Sequence, residues 1–482
     1  MEYTELADYP LPTGRITEWI PAVDSGAWQP DERPLSPNHE AHLGHALTSD
    51  HVDPLGSWIG TAFRLIGAFD PQRFADALAL WIARHDAFRT SARLTDQGLQ
   101  RFGISPDAVT VTSRPAERDP GSDICGHIED FFARDLSAAH WPHVVAVTIE
   151  PDSMIEAAEG VIVVLAADHS VMDAYSQLLL ITEINEFYQA LGEGRAPELP
   201  ACGSYVDYCV TEHEAGLGID ADHSALAPWQ EFWDDGSDVP AMPRFPLPTQ
   251  PAVPTDDVAG QQSSLSLWLL SAEETNAFNA ACKRHGASLS TGAFTALTTA
   301  LHRLTGKRET RFVMPMHTRT TPESFAAAGW YVGLVPASIT LGDAPSFSAA
   351  LASVDAGVRR HAALTHQPYP RIAALAGMLD TPRFAVSFVD ARFLPGAATW
   401  TDRDRALRSR IANNDEVYIW VNRTTEGMNI SLRFPNNEVA AASIHAMIGE
   451  FAAVLRDVAT NGDLQLTDTS EAAGSPDAVE QL

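Results

Sequence analysis

The stretch VIVVLAADHSVMDA, residues 161–174, limits what this chain can fold into more than any other. Its continuous apolar, largely β-branched run predicts a strand buried on both faces. The run ends at Asp168-His169, an aspartate follows at position 173, and a helical pattern then begins. Leu180, Ile184, Phe187, Tyr188 and Leu191 recur on one side of that helix, which is predicted to end near Gly192. A strand that delivers one histidine to its exposed end, with a carboxylate fixed a turn away, suits a general base. Spacing alone carries little weight, because seventeen histidines in so acidic a chain should yield about one His-x-x-x-Asp by chance. The one that occurs stands at the mouth of the most strand-like stretch of the protein. Asp173 then either orients the His169 ring directly or shapes the loop by pairing with an arginine. The plain structural alternative is that His169 caps a buried strand and Asp173 caps the next helix.

At 482 residues the chain is too long for one ordinary domain, and two domains or lobes are expected. A formal charge of −31 excludes nucleic acid as a partner, since a polyanion needs clustered Lys and Arg. Lys283 and Lys307 are the only lysines, and LTGKRET lacks the glycine and hydroxyl residue of a phosphate-binding loop. Cys125, Cys202, Cys209 and Cys282 form no CxxC pair and no zinc spacing, so free thiols are expected. No stretch reaches about eighteen uninterrupted apolar residues, so no membrane span is expected. The start, MEYTELADYPLPTGR, is acidic where a signal peptide is basic and then apolar, and a cytoplasmic location is expected. His39, His42 and His45, with His51 beyond, could in principle hold a transition metal. They lack an HExxH arrangement, so exposed or packing histidines, and no metal, are the expectation.

Asp70-Pro71 predicts a capped helix carrying Phe74, Leu78, Trp81, Ile82 and Phe88, whereas the first sixty residues show little periodicity. Six prolines between 236 and 262 predict an irregular connection between an N-terminal lobe, 1–235, and a C-terminal lobe, 263–460. Beyond it, helices are expected over 272–284 and 288–305, and strands at LSLWLL, RFVMPM, LVPASIT, RFAVSFV and EVYIWVNR. Residues 461–482 are acidic and Ser-rich and are expected to be disordered. The fold class is mixed α/β in both halves.

ADHSVMDA resembles the HHxxxDG motif of the condensation-domain and chloramphenicol-acetyltransferase-like acyltransferase superfamily. Further segments resemble that family in order: IARHDAFRTSA, EINEFYQALGEGRAPELP with SYVDYCVTEHE, APWQEFWDD, AACKRHGASLSTGAFTALTTALHRLTG and MPMHTRTTPESFAAAGWYVGLVPASI. GSYVDYCV and Asp168 look closest to its Pap-type (polyketide-associated protein) acyltransferases. The resemblance implies two chloramphenicol-acetyltransferase-like lobes meeting in a V, with a central tunnel that donor and acceptor enter from opposite ends. It also implies that His169 is the general base, that Asp173 is structural, and that Arg319 is the partner of Asp173. Gly329 and Trp330 match the loop lining the tunnel. Two positions depart from the pattern. Asp168 replaces the first, supporting histidine of the motif, and Ala174 replaces its glycine.

The implied reaction is transfer of an acyl group from a thioester, acyl-CoA or a carrier-protein phosphopantetheine, to a hydroxyl, with no further cofactor and a monomeric enzyme. A free-standing enzyme forming an amide on an amine acceptor is the alternative within catalysis. A catalytically silent condensation-like domain that recruits a partner is the alternative outside it.

Overall fold

The computed structural model describes residues 2–48, 58–96, 98–116, 123–153, 160–234, 236, 240–251, 262–378, 380–410 and 415–466. Val161–Asp168 forms the expected strand, here called the motif strand, and every residue of it is buried. Its alternation explains why both faces had to be apolar. Val163, Leu165 and Ala167 enter one hydrophobic cluster, Ile162, Val164 and Ala166 another. The first face packs beneath the helix Pro71–Arg84 and the motif helix, Ala174–Glu193, and the second beneath Ile124–Asp135. Each large side chain sealed in this way contributes about 1.5–3 kcal/mol. Asp70 caps its helix as expected, accepting from the Arg73 N–H at 3.0 Å, with Pro71 in the first turn.

Among the described residues the motif strand lies near the middle of a seven-stranded sheet. In spatial order its strands are Glu2–Glu5, Arg405–Arg408, Trp58–Leu65, Val161–Asp168, Val144–Pro151, Gly14–Ala22 and Thr110–Pro115. A second, six-stranded sheet runs Gln262–Ser271, Gly427–Pro435, Val417–Arg423, Phe384–Asp390, Glu309–His317 and Val332–Thr340. Its core is closed by Ala272–Arg284, Leu289–Thr305 and Glu438–Asn461. The last of these is long and apolar enough to cross a bilayer, but Ile444, Met447, Phe451, Val454, Leu455 and Val458 are buried in this core.

The structure adds to or departs from these expectations in four places. The first sixty residues contain two strands of the large sheet, one of which, Glu2–Glu5, pairs in parallel with Arg405–Arg408. Their order comes from partners far along the chain, which local periodicity does not report. The lobe boundaries are crossed. Arg405–Arg408, from the C-terminal half, pairs antiparallel with Trp58–Leu65 in the N-terminal sheet. Gln177 of the motif helix secures this crossing strand by donating to the Gly60 and Leu407 carbonyls, both at 2.7 Å. The proline-rich connection has no regular element over its described residues 240–251, as expected, and Met242 and Phe245 there are buried, so this part of it is packed against the protein. At the C-terminus, Gln465 bridges Ser346 and Leu466 is buried, while 467–482 lie outside the described residues.

Candidate active site

Asp173 is the N-cap of the motif helix, its Oδ1 accepting from the Ser176 N–H at 2.8 Å and the Ser176 hydroxyl at 2.7 Å. The same carboxylate is met by Arg319 from the other half of the chain, with Nη1 to Oδ2 at 2.5 Å and Nη2 to Oδ1 at 3.1 Å. The Tyr331 N–H completes the set at 3.0 Å. Asp173 therefore both caps the helix and pairs with an arginine, and none of these bonds goes to the His169 ring. Burial works to raise its pKa, but Arg319 and Ser176 override that and hold the carboxyl below its ordinary range.

Arg319 is fully enclosed. It donates to the carbonyls of Ser324 at 3.1 Å and Ala327 at 3.2 Å and to the Ser176 hydroxyl at 3.0 Å. Its guanidinium also lies between the Tyr175 and Tyr331 rings, 4.5 and 4.3 Å from their centroids. Burying this charge is tolerable because it is paired, hydrogen-bonded and stacked at once. The segment 318–331 is thereby tied onto the N-terminal lobe. A second tie is His85, buried, which accepts from the Ala328 N–H at 3.1 Å and bonds Glu183 at 2.6 Å.

Gly329 and Trp330 ride on this segment. The Gly329 N–H donates to the Ser176 hydroxyl at 3.2 Å, and its carbonyl lies 3.1 Å from the same oxygen. A Cβ there would fall inside contact distance of the Tyr205 ring and 2.9 Å from Tyr331 Cε2. Gly329→Ala is expected to cost about 1–3 kcal/mol by overpacking. A lowered urea midpoint would record it, and an unchanged midpoint would mean that the aromatic rings give way.

Trp330 lies against His169, ring centroids 4.8 Å apart. Burial pushes the pKa of His169 down, so the imidazole is neutral at physiological pH. Its Nδ1 is buried and makes no hydrogen bond with any described group. Asp168, the departure from the motif, is a buried carboxylate that accepts from the Ser170 N–H at 2.9 Å. Burial would raise its pKa; hydrogen bonds from His42 and Ser170 outweigh this and keep it ionised.

His42 is the residue whose place sequence reasoning missed. Expected to be an exposed or packing histidine, it stands with Nε2 3.3 Å from Asp168 Oδ1 and edge-on to Trp330. The helix Pro37–Thr48 turns His39 into the interior, where burial pushes its pKa down to about 3. The His45 side chain and His51 lie outside the described residues, among which no group of three or more potential ligands could hold a metal. A long-range partner of this kind leaves no local signal.

Comparison with known proteins matches residues 56–473 to the family model described as Condensation domain. The chain is 29% identical over 314 residues to Acyltransferase PapA3 of Mycobacterium tuberculosis, covering 62% of this chain and 64% of that protein. It is 30% identical over 289 residues to Trehalose-2-sulfate acyltransferase PapA2 of Mycobacterium bovis, covering 57% and 59%. The matches thus span less than two thirds of these relatives' length. Among solved structures, a PapA2 acyl transferase superposes with a TM-score of 0.80 at 24% identity, covering 95% of this chain and all of that one. The condensation domain of the Monacolin K polyketide synthase MokA superposes at 0.67 and 15% identity, covering 90% and 99%. At these identities the superpositions speak for the fold.

Proposed function

This chain belongs to the condensation-domain family, and we propose that it is an acyltransferase moving an acyl group from a thioester to a hydroxyl in lipid biosynthesis. The observation that carries this reading is the His169 imidazole at the end of the motif strand, against Trp330 and beside an Asp173–Arg319 pair that binds the motif helix and the loop rather than the ring. The acyltransferase names of the similar Pap proteins support the reaction class.

With Nδ1 buried and without a hydrogen-bond partner among the described groups, Nε2 is the nitrogen of His169 placed to take the acceptor's proton. The acceptor hydroxyl gives its proton to Nε2 as its oxygen attacks the thioester carbonyl. The tetrahedral intermediate collapses with loss of the C–S bond, and the imidazolium returns the proton to the departing thiolate. Holding both substrates at one imidazole supplies much of the rate, since the attack becomes effectively intramolecular. Trp330 forms an apolar wall beside the reacting atoms, and Asp173 with Arg319 shapes the loop that aims them. The donor is acyl-CoA or a carrier-bound phosphopantetheine thioester. The superposition on condensation domains favours one second reading, the same chemistry with an amine acceptor.

The test is thiol release from palmitoyl-CoA with trehalose 2-sulfate, or with an amino-acid amide, as acceptor. Release that depends on the sugar supports ester formation, and release that depends on the amine supports the second reading. No acceptor-dependent release overturns both in favour of a silent, recruiting domain.

No serine or cysteine nucleophile is proposed, so palmitoyl-CoA alone is expected to leave the protein's mass unchanged. A stoichiometric gain of one palmitoyl group, discharged on adding acceptor, would establish a covalent intermediate and exclude direct transfer.

A further inference from the structure

Asp168 brackets the proposed base. Its N–H donates to the His143 carbonyl at 2.9 Å, its carboxylate accepts from the Ser170 N–H at 2.9 Å, and its carbonyl accepts from the Val171 N–H at 3.2 Å. The backbone on both sides of His169 is therefore fixed through this one residue, and whatever orders the carboxylate orders the ring. Four imidazoles are near enough to interact electrostatically with its carboxylate: His39 and His42 from the helix Pro37–Thr48, His143 just before Val144–Pro151, and His169 itself. Burial pushes His39, His143 and His169 down. His42 is the one in direct contact with Asp168 among the described residues, at 3.3 Å, with a side chain 20% exposed. It also meets the indole on which His169 lies, at 5.7 Å and nearly perpendicular.

We propose that His42 is a positioning residue of the reacting centre, hydrogen-bonding Asp168 and so fixing the segment that presents His169. This rests on the reading of His169 as the working base. The chain has an aspartate where the related motif has its first histidine, and His42 brings an imidazole to that aspartate from a helix more than a hundred residues upstream.

Two variants separate the hydrogen bond from the ring. His42→Gln keeps an N–H near the place of Nε2, and His42→Phe keeps an aromatic ring against Trp330 without a donor. His42→Phe is expected to lower kcat for thiol release by about 10- to 100-fold with KM nearly unchanged, as for a base displaced by a fraction of an ångström. His42→Gln is expected to stay within about threefold of the wild type, since the donor is kept. Asp168→Ala, which removes the acceptor, should be at least as impaired as His42→Phe, and adding His42→Phe to it should cost little more.

An active His42→Phe, or equal impairment of Phe and Gln variants, overturns the proposal, because packing or the imidazole itself would then be what matters. Crystal structures give a readout independent of turnover. The His169–Trp330 ring contact should persist in His42→Gln and open in His42→Phe. If the wild type releases no thiol while that structural pattern holds, acyl transfer falls and the positioning role stands. If the wild type turns over while neither rate nor ring contact responds to His42, the positioning role alone falls.

Discussion

A His169→Ala protein is expected to fold as the wild type does and to lose acyl transfer by at least ~10², the usual contribution of a positioned general base. The ring is only partly buried and makes one aromatic contact, to Trp330, so little stability goes with it. Turnover within about threefold of the wild type would remove His169 from the chemistry. The pH profile of the wild type makes a second demand on the same residue. A base works only unprotonated, and burial pushes the pKa of His169 down. The acid limb of kcat/KM is therefore expected below the ordinary imidazole value of about 6.5. It should disappear from the residual activity of the alanine variant.

The other large effect belongs to the ion pair. Arg319→Ala leaves a carboxylate buried with only Ser176 and the Tyr331 N–H to answer it, and Asp173→Asn leaves a buried guanidinium without its counter-charge. Each is expected to cost about 3–5 kcal/mol, as breaking one partner of a buried pair does. Activity should fall with stability, because the segment carrying Trp330 is held by the same bonds. Combining the two should add little, and cleanly additive losses in urea midpoint would show that they are not one unit. Since the folded Asp173 has a lowered pKa, its contribution is fully present above the unfolded aspartate value of about 3.9. It is lost only as the pH falls through the lower folded value, so the pair should still be intact at pH 5.

The part of this site legible in the sequence is the part made by neighbours in the chain. A continuous β-branched run, a stop at Asp168-His169 and an N-cap at Asp173 are local statements, and the strand and helix stand where they predict. Arg319 came into view only through the family resemblance, because nothing near 319 announces a partner at 173. His42 did not come into view at all. Its neighbours His39 and His45 suggested a cluster on one segment, whereas the helix sends His39 inward and His42 towards Asp168. The strands Glu2–Glu5 and Arg405–Arg408 are four residues each and carry charges, so neither shows an apolar alternation. They are ordered by each other and by Trp58–Leu65, which is a property of the assembled sheet.

That crossing strand also sets a timetable for synthesis. Trp58–Leu65 emerges from the ribosome about 340 residues before Arg405–Arg408, an interval of about 17 to 70 s at ordinary elongation rates. Once Val161–Asp168 has followed, the N-terminal sheet has its motif strand but still lacks the strand that separates Trp58–Leu65 from Glu2–Glu5. Main-chain donors and acceptors of Trp58–Leu65 stay open on that side, the kind of edge on which nascent chains join one another. A fragment ending in the proline-rich connection would carry that open edge permanently. The two halves of this protein share both core and sheet, and they mature as one when the last quarter of the chain arrives to close the first.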